Sequence, residues 1–264
     1  MRRLRAVALL AALSTASCAV PLMKLPAGPG VAASDGSARL AEATAACLDV
    51  STISAALTVS GRVHGNRVRG RLLAGLAAPD SLYMEAPAPF GGPLFVLAAS
   101  NGDATLLLPR DHRVLEHGQP EAVMEAIAGV PLSPANLKST LSGCDGSAAG
   151  ANGDARAVGD DWRILAGEPV RYLRRDRATG AWHVVSVVHG GADGWRVDYA
   201  GFVGGLPRSI RLLSNAPQRF DLQLELSQVD INVGIDATAF HVTLPPGMQP
   251  ISIDELRAGD TLSR

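Results

Sequence analysis

Apolar and polar side chains alternate along most of the chain between residues 52 and 117, and this pattern predicts six short strands in succession. The first strand, 52–64, has apolar residues at nearly every second position and polar residues between them. A period of two is typical of a strand with one buried and one solvated face. Gly65 and Asn66 tolerate positive φ and predict a hairpin turn before the second strand. The five strands that follow are predicted near 67–72, 81–86, 94–99, 104–108 and 113–117.

Three segments with apolar residues at helical spacing lie before and after these strands. The first helix is predicted at 39–48. The second begins at Pro120, and the third begins at Ser133, a capping residue followed by proline at the first helical position. Residues 145–160 are rich in glycine and alanine and predict a loop.

The strand pattern resumes at Trp162 and continues nearly to the end of the chain. Later strands are predicted at 170–175, 182–188, 195–200, 208–213 and 219–227. Neither half of the strands could bury its apolar face alone, so about eleven strands predict a single mainly β domain of the α+β class, 38–264. We expect a curled antiparallel sheet, an unclosed β-barrel, with helices covering its cavity.

The chain begins with the features of a bacterial lipoprotein. Residues 1–17 have a positively charged start, a short apolar run and small residues, the layout of a signal peptide. The segment ending at Cys18 resembles the lipobox, which implies that Cys18 is the lipid anchor and that residues 18–37 form a tether. The alternative is an ordinary secreted protein that is cut near Cys18.

Composition excludes several other classes of protein. Apolar residues make up 47% of the 264 residues and the net charge is −1, so no global field attracts nucleic acid. After the signal, no apolar stretch reaches the roughly 18 residues of a membrane-spanning helix. The sequence also has no Gly-x-Ser-x-Gly, phosphate-loop or zinc-helix motif. We therefore expect no enzyme, no metal site, no cofactor and no nucleic-acid partner.

The histidines do not form a catalytic arrangement by spacing. His112 and His117 fall on opposite faces of one predicted strand, and His183 and His189 lie at the two ends of another.

The cysteine count is odd for an exported chain. With Cys18 assigned to lipid, Cys47 and Cys144 remain as a candidate disulfide pair in an oxidising compartment. The alternative is two unpaired, buried thiols.

The order of elements from about residue 39 to 256 resembles the periplasmic lipoprotein-carrier family, whose members include the carrier LolA and its outer-membrane receptor LolB. The shared order is a helix, a six-strand meander, a helical insertion and further strands. The stretch from Phe240 to Gly247 also resembles the family's ending, an aromatic strand that runs into a Pro-Gly turn. A lipobox cysteine points to the LolB-like branch.

This resemblance implies a lipid-anchored monomer at the periplasmic face of the bacterial outer membrane. It would receive the acyl chains of lipoproteins, with a soluble periplasmic carrier as a partner, and help to localise them there. Two alternatives stay open: a general lipid-binding lipoprotein for another amphiphile, and a non-catalytic structural lipoprotein of an envelope complex.

One loop carries a more specific resemblance. Residues 86–93 place Phe90 between prolines and glycines, where the receptor has an apolar residue that inserts into the bilayer. Phe90 is therefore the candidate membrane-insertion residue. In the alternative interpretation, Phe90 folds back and plugs the core.

The acyl chain would lie on the apolar side of the sheet. The candidate lining residues, which would serve equally well as ordinary core, are Leu57, Val59, Leu82, Met84, Val96, Leu106, Leu222 and Leu224. The candidate lid residues, on the two helices of the insertion, are Val123, Ile127, Leu137 and Leu141. The pattern does not tell which face of the sheet is concave.

Overall fold

The strands form one continuous sheet in the computed structural model, which describes residues 22–144, 154–191, 194–216 and 219–258. The predicted signal peptide and the anchor Cys18 lie outside the described residues. The strands are β1 (Val31–Ala32), β2 (Thr52–Val63), β3 (Asn66–Ala77), β4 (Ser81–Ala86), β5 (Phe95–Ser100), β6 (Asp103–Leu108), β7 (Arg113–Gly118), β8 (Ala155–Val158), β9 (Trp162–Leu165), β10 (Val170–Arg175), β11 (Trp182–Val188), β12 (Trp195–Ala200), β13 (Ser209–Ser214), β14 (Phe220–Ile231) and β15 (Gln249–Pro250). The helices are α1 (Gly36–Leu48), α2 (Pro120–Ala128), α3 (Pro134–Ser142) and α4 (Ile253–Ala258), with 3₁₀ helices at Pro109–Asp111 and Ala237–Phe240.

The sheet consists of two runs of consecutive strands, β8 to β14 and β2 to β7, with β1 and β15 at its two edges. It runs β1-β8-β9-β10-β11-β12-β13-β14-β2-β3-β4-β5-β6-β7-β15, and the sheet is not closed. Its strands pair antiparallel except for β15, which pairs in parallel with β7. The predicted α+β class and curled, unclosed antiparallel barrel are therefore confirmed, with β2 and β14 joining the two halves.

One face of this sheet carries the core. Along β14, Phe220, Leu222 and Leu224 are buried, while the residues between them are half-buried or exposed. In each long strand, the apolar side chains at every second position point to the same face of the sheet. They form a common cluster there with residues of α1, α2 and α3. This face is the inner one, because the helices cover it.

α2 begins at Pro120 and α3 directly after Ser133, as the sequence predicts, whereas α1 begins three residues before its predicted start at residue 39. Ser133 caps α3 by accepting a hydrogen bond from the Asn136 backbone N–H at 3.2 Å, and Gly129 and Gly143 end α2 and α3 with positive φ. α1 packs against β11, and α4 packs against α2.

The outer face of β4 to β7 is covered as well. Val96, Leu107 and Val114 form a second buried cluster, and residues of the C-terminal segment pack against it. Val96 therefore lies on the outer face, and the prediction that it lines the inner face is wrong. Because β5 is buried on both faces, its run of apolar residues has no period of two.

Three segments differ from the prediction. The predicted aromatic strand at Phe240 is a 3₁₀ helix followed by irregular chain, because the buried Phe240 ring ends a segment that packs on β4 and β5 rather than pairing with a strand. The turn at residues 246–247 is present. β8 lies within the predicted loop, and β1, within the predicted tether, pairs with β8.

Candidate functional site

An uncovered apolar area lies on the inner face near the end of the β2–β3 hairpin. Gly70 lies in β3 with the inward-facing parity of Val68 and Leu72, and its cross-strand neighbour is Val59. A Cβ atom placed on Gly70 would meet no atom within 4 Å, so the space above this backbone is open. The three apolar neighbours are half-buried and pack against the main core. We call Gly70 with Val59, Val68 and Leu72 the recess.

The recess leads to an apolar interior that is closed. Leu57, two residues along β2 from Val59, is 2% exposed, and Leu82 and Leu106 are fully enclosed. An acyl chain that lies in the recess would therefore touch the outermost part of the core. It could pass further inwards only if the covering helices moved.

The insertion helices cover the interior next to the recess. Val123 and Leu141 are at most 1% exposed, and Leu137 is 5% exposed within the same core cluster as the sheet. Ile127 is half-buried and packs on this cluster. The helices therefore separate the apolar interior from solvent, which is the arrangement expected of a lid.

The end of α2 is held against the hairpin. A Cβ atom on Gly129 would lie 2.9 Å from Val63 Cγ1, so the backbone approaches the hairpin closely. Beside it, Arg219 donates a hydrogen bond to Glu125 of α2 at 2.7 Å, and the Arg257 guanidinium lies 3.7 Å from the same carboxylate. This ion-pair cluster fixes the lid to the start of β14.

The other end of the lid is held covalently. Cys144, directly after α3, forms a disulfide with Cys47 at the end of α1. Lys138 Nζ also donates to the Val50 carbonyl at 3.1 Å. The candidate pair is therefore bonded in the structure, and it joins the lid to the helix that packs on the other half of the sheet.

Phe90 is exposed at the tip of the loop between β4 and β5. Its side chain is 87% exposed, while Arg110 Nη2 donates to its backbone carbonyl at 2.8 Å. Since β4 runs antiparallel to β3, this loop lies at the same end of the sheet as the hairpin tip. The alternative in which Phe90 plugs the core does not fit this position.

Comparison with known proteins gives matches to solved structures. No family model and no curated protein matches the sequence. A LolA superfamily protein from Nitrosomonas europaea is 10% identical, with a TM-score of 0.49 and coverage of 77% of this chain and 96% of that one. A domain assigned to outer membrane lipoprotein sorting from Vibrio parahaemolyticus is 13% identical, with a TM-score of 0.46 and coverage of 78% and 96%. The Mycobacterium tuberculosis lipoprotein LppX is 12% identical, with a TM-score of 0.34 and coverage of 76% and 97%.

The element order and the open sheet described above are those of the family that the sequence resembles. The chain has a LolA-like fold. The likeness to the solved structures is one of architecture.

Within this LolA-like fold, most of the predicted lining residues share the inner face. Those in the main cluster or packed against it are Leu57, Val59, Leu82, Met84, Leu106, Leu222 and Leu224. Val96 lies on the outer face. Gly70, the floor of the recess, was not among the predicted residues, because a glycine gives no signal in an apolar-polar pattern.

The two histidines on and directly after β11, His183 and His189, stack on aromatic rings. His183 stacks on Phe202 with ring centroids 4.1 Å apart, and burial lowers the pKa of His183. His189 stacks on Trp195 at 4.3 Å. Among the described residues, no group of three or more histidine, cysteine or acidic side chains could hold a metal ion. None of the described helices has the length and apolarity needed to cross a membrane.

Proposed function

We propose that this protein binds acyl chains on the inner face of its LolA-like fold, with the recess at Gly70 as the point of entry. The observation that carries the proposal is open space above a glycine, directly beside half-buried apolar side chains that continue into the core. Each methylene that leaves water contributes about 0.8 kcal/mol, so a chain that enters the recess gains from its first few carbons.

Transfer of such a chain to a membrane needs no chemical energy. The apolar interior and the bilayer offer nearly the same transfer free energy per methylene, so this contribution nearly cancels between them. The direction of transfer then depends on the other contributions to the binding free energy at each site, such as polar contacts with the protein or insertion of the acyl chain into the bilayer. A binding protein without a nucleotide site can thus take up and release acyl chains reversibly.

The physiological cargo that we propose is the acyl chains of lipoproteins, received at the outer membrane from a soluble periplasmic carrier. An anchor at Cys18 and the exposed Phe90 would keep the recess close to the bilayer. Another amphiphile with one or more acyl chains would use the same recess, and mass spectrometry of ligand extracted from the purified protein would distinguish the two.

Filling the recess tests the proposal. In Gly70→Leu, the added Cβ atom meets no atom within 4 Å, so we expect the protein to fold as before. Affinity for a fluorescent fatty acid should fall at least tenfold, because the leucine takes the place of the first carbons of the chain. Fluorescence titration measures the affinity, and thermal denaturation checks the fold.

Gly234→Leu is the matched control, since an added Cβ there also meets no atom within 4 Å. It should bind the fatty acid as the unmodified protein does. Unchanged binding by folded Gly70→Leu protein would contradict the proposed entry point.

A further inference from the structure

One edge of β3 has no neighbouring strand over about half of its length. β4 pairs with β3 from Leu73 to Ala77, whereas β2 pairs with β3 along its entire length. Among the described residues, no other backbone hydrogen bond reaches residues 66–72. The loop that follows β4 bends away towards Arg110, which holds the Phe90 carbonyl. The backbone groups on this edge are thus available to a further strand.

The free edge is positively charged on its outer face. Arg67, Arg69 and Arg71 project from β3 on the side opposite to the core and are exposed. Two outer-face arginines of the other half of the sheet are paired with carboxylates, Arg196 with Asp198 at 2.6 Å and Arg211 with Asp221 at 2.9 Å. Arg71 Nη2 donates a hydrogen bond to Gln228 Oε1 at 2.9 Å, and no carboxylate of a described residue forms an ion pair with Arg67, Arg69 or Arg71. The charge on this edge is therefore uncompensated.

This charge selects among strands that could pair with the edge. A second copy of the same edge would place arginines opposite arginines, and like charges directly opposite each other destabilise a pair of strands. An extended segment with acidic side chains at every second position would place carboxylates beside the three guanidinium groups. The favoured occupant is consequently an acidic, extended polypeptide.

The edge also borders the recess, since Val68, Gly70 and Leu72 belong to the same seven residues. We infer that residues 66–72 bind, by strand addition, the acidic linker that follows the acylated cysteine of a lipoprotein whose acyl chain lies in the recess. This inference depends on the proposed function, because it gives the binding site for the polypeptide that carries the proposed acyl chain. A bilayer would supply anionic headgroups for the arginines, but it has no row of peptide groups for the edge.

Acylated peptides test this inference on the purified full-length protein. The first peptide has a diacylated cysteine and a seven-residue linker with acidic residues at alternate positions. The second has glutamine at those positions, and the third keeps the acidic residues but is N-methylated at alternate linker amides. A fluorescent fatty acid reports on the recess alone.

We expect the acidic peptide to bind about tenfold more tightly than the glutamine peptide, because three exposed ion pairs together favour binding by about that factor. R67Q/R69Q/R71Q should remove this preference and leave fatty-acid binding unchanged. N-methylation should weaken the acidic peptide for the unmodified protein, because it removes strand hydrogen bonds without changing charge. This last comparison needs no variant and so does not depend on how the triple variant folds.

Equal affinity for all three peptides, with normal fatty-acid binding, would overturn the strand-addition site and leave the proposed function intact. Loss of binding to vesicles containing phosphatidylglycerol in R67Q/R69Q/R71Q, without any effect on the peptides, would overturn it in favour of a headgroup contact. Failure of the unmodified protein to bind fatty acid would instead contradict the proposed function.

Discussion

Asp35 joins α1 to the β8–β9 end of the sheet through two arginines. Arg163 donates to its carboxylate at 2.7 and 3.1 Å, and Arg39 donates to it at 3.1 Å. The hydrogen bonds from Arg163, followed by those from Arg39, lower the pKa of Asp35 to about 2. A carboxylate with a lowered pKa stabilises the fold above its unfolded pKa near 4, and this contribution disappears as the pH falls towards 2.

Asp35→Asn should therefore lower the free energy of unfolding at pH 7 by about 1 kcal/mol. This is less than the pKa shift alone would give, because solvent screens the partly exposed carboxylate. Urea denaturation at pH 7 and pH 2 measures the effect. The difference between the two proteins should vanish at pH 2, and a difference that is the same at both pH values would contradict the ion-pair explanation.

Phe90 contributes little to folding, since its ring is exposed to solvent. Phe90→Glu should leave the melting temperature and fatty-acid affinity unchanged. It should slow transfer of a fluorescent fatty acid from the protein to phospholipid vesicles by about tenfold or more, because burial of the ring in acyl chains is worth about 1.5–3 kcal/mol. Val203→Glu, at an exposed apolar residue at the opposite end of the sheet, should transfer at the normal rate. Equal rates for the two variants would exclude a special role for Phe90.

At the scale of elements, α3 depends on its cap. Ser133→Ala removes the acceptor for the Asn136 N–H, and we expect the free energy of unfolding to fall by about 1 kcal/mol. Ser133→Asp keeps an acceptor at this position and should retain the stability. Urea denaturation compares the three proteins, and equal losses in both variants would show that the hydroxyl acts in some other way.

The strands that the sequence predicted most clearly were those with one buried and one solvated face. β2 and β14 alternate because only their inner side meets the core. β8 was missed, since its residues lie in a run of small side chains and none of them is fully buried. The 3₁₀ helix at Phe240 was read as a strand, because an aromatic residue followed by β-branched residues is typical of both edge strands and covering segments.

The candidate site was predictable only in part, because it depends on how far β3 extends beyond the end of its neighbour β4. Alternation identified the inward residues of β2 and β14, including Leu57 and Leu224. It could not show that β4 joins β3 only from Leu73 onwards, since register between strands is not encoded in either strand alone. That stagger leaves the recess half-exposed and the rest of the inner face closed.

For the whole molecule, the Cys47–Cys144 bond links two parts of the chain that are 97 residues apart. The double variant Cys47→Ala/Cys144→Ala should unfold more easily by up to about 4–5 kcal/mol, because a crosslink of this span restricts the unfolded chain. Urea denaturation under oxidising conditions measures the loss. Unmodified protein unfolded and refolded with a reducing agent should match the variant, and identical stability with and without the reducing agent would contradict the assignment.

The β2–β3 hairpin extends past the end of β4 by the seven residues 66–72. Removing one residue from each strand at its tip would shorten it by about 3.3 Å, and every remaining residue of β2 and β3 would keep its face and its partner within the hairpin. The length of the hairpin can thus change without altering the register between β2 and β3. We expect proteins of this architecture that carry shorter or longer cargo to differ first in the length of this arm.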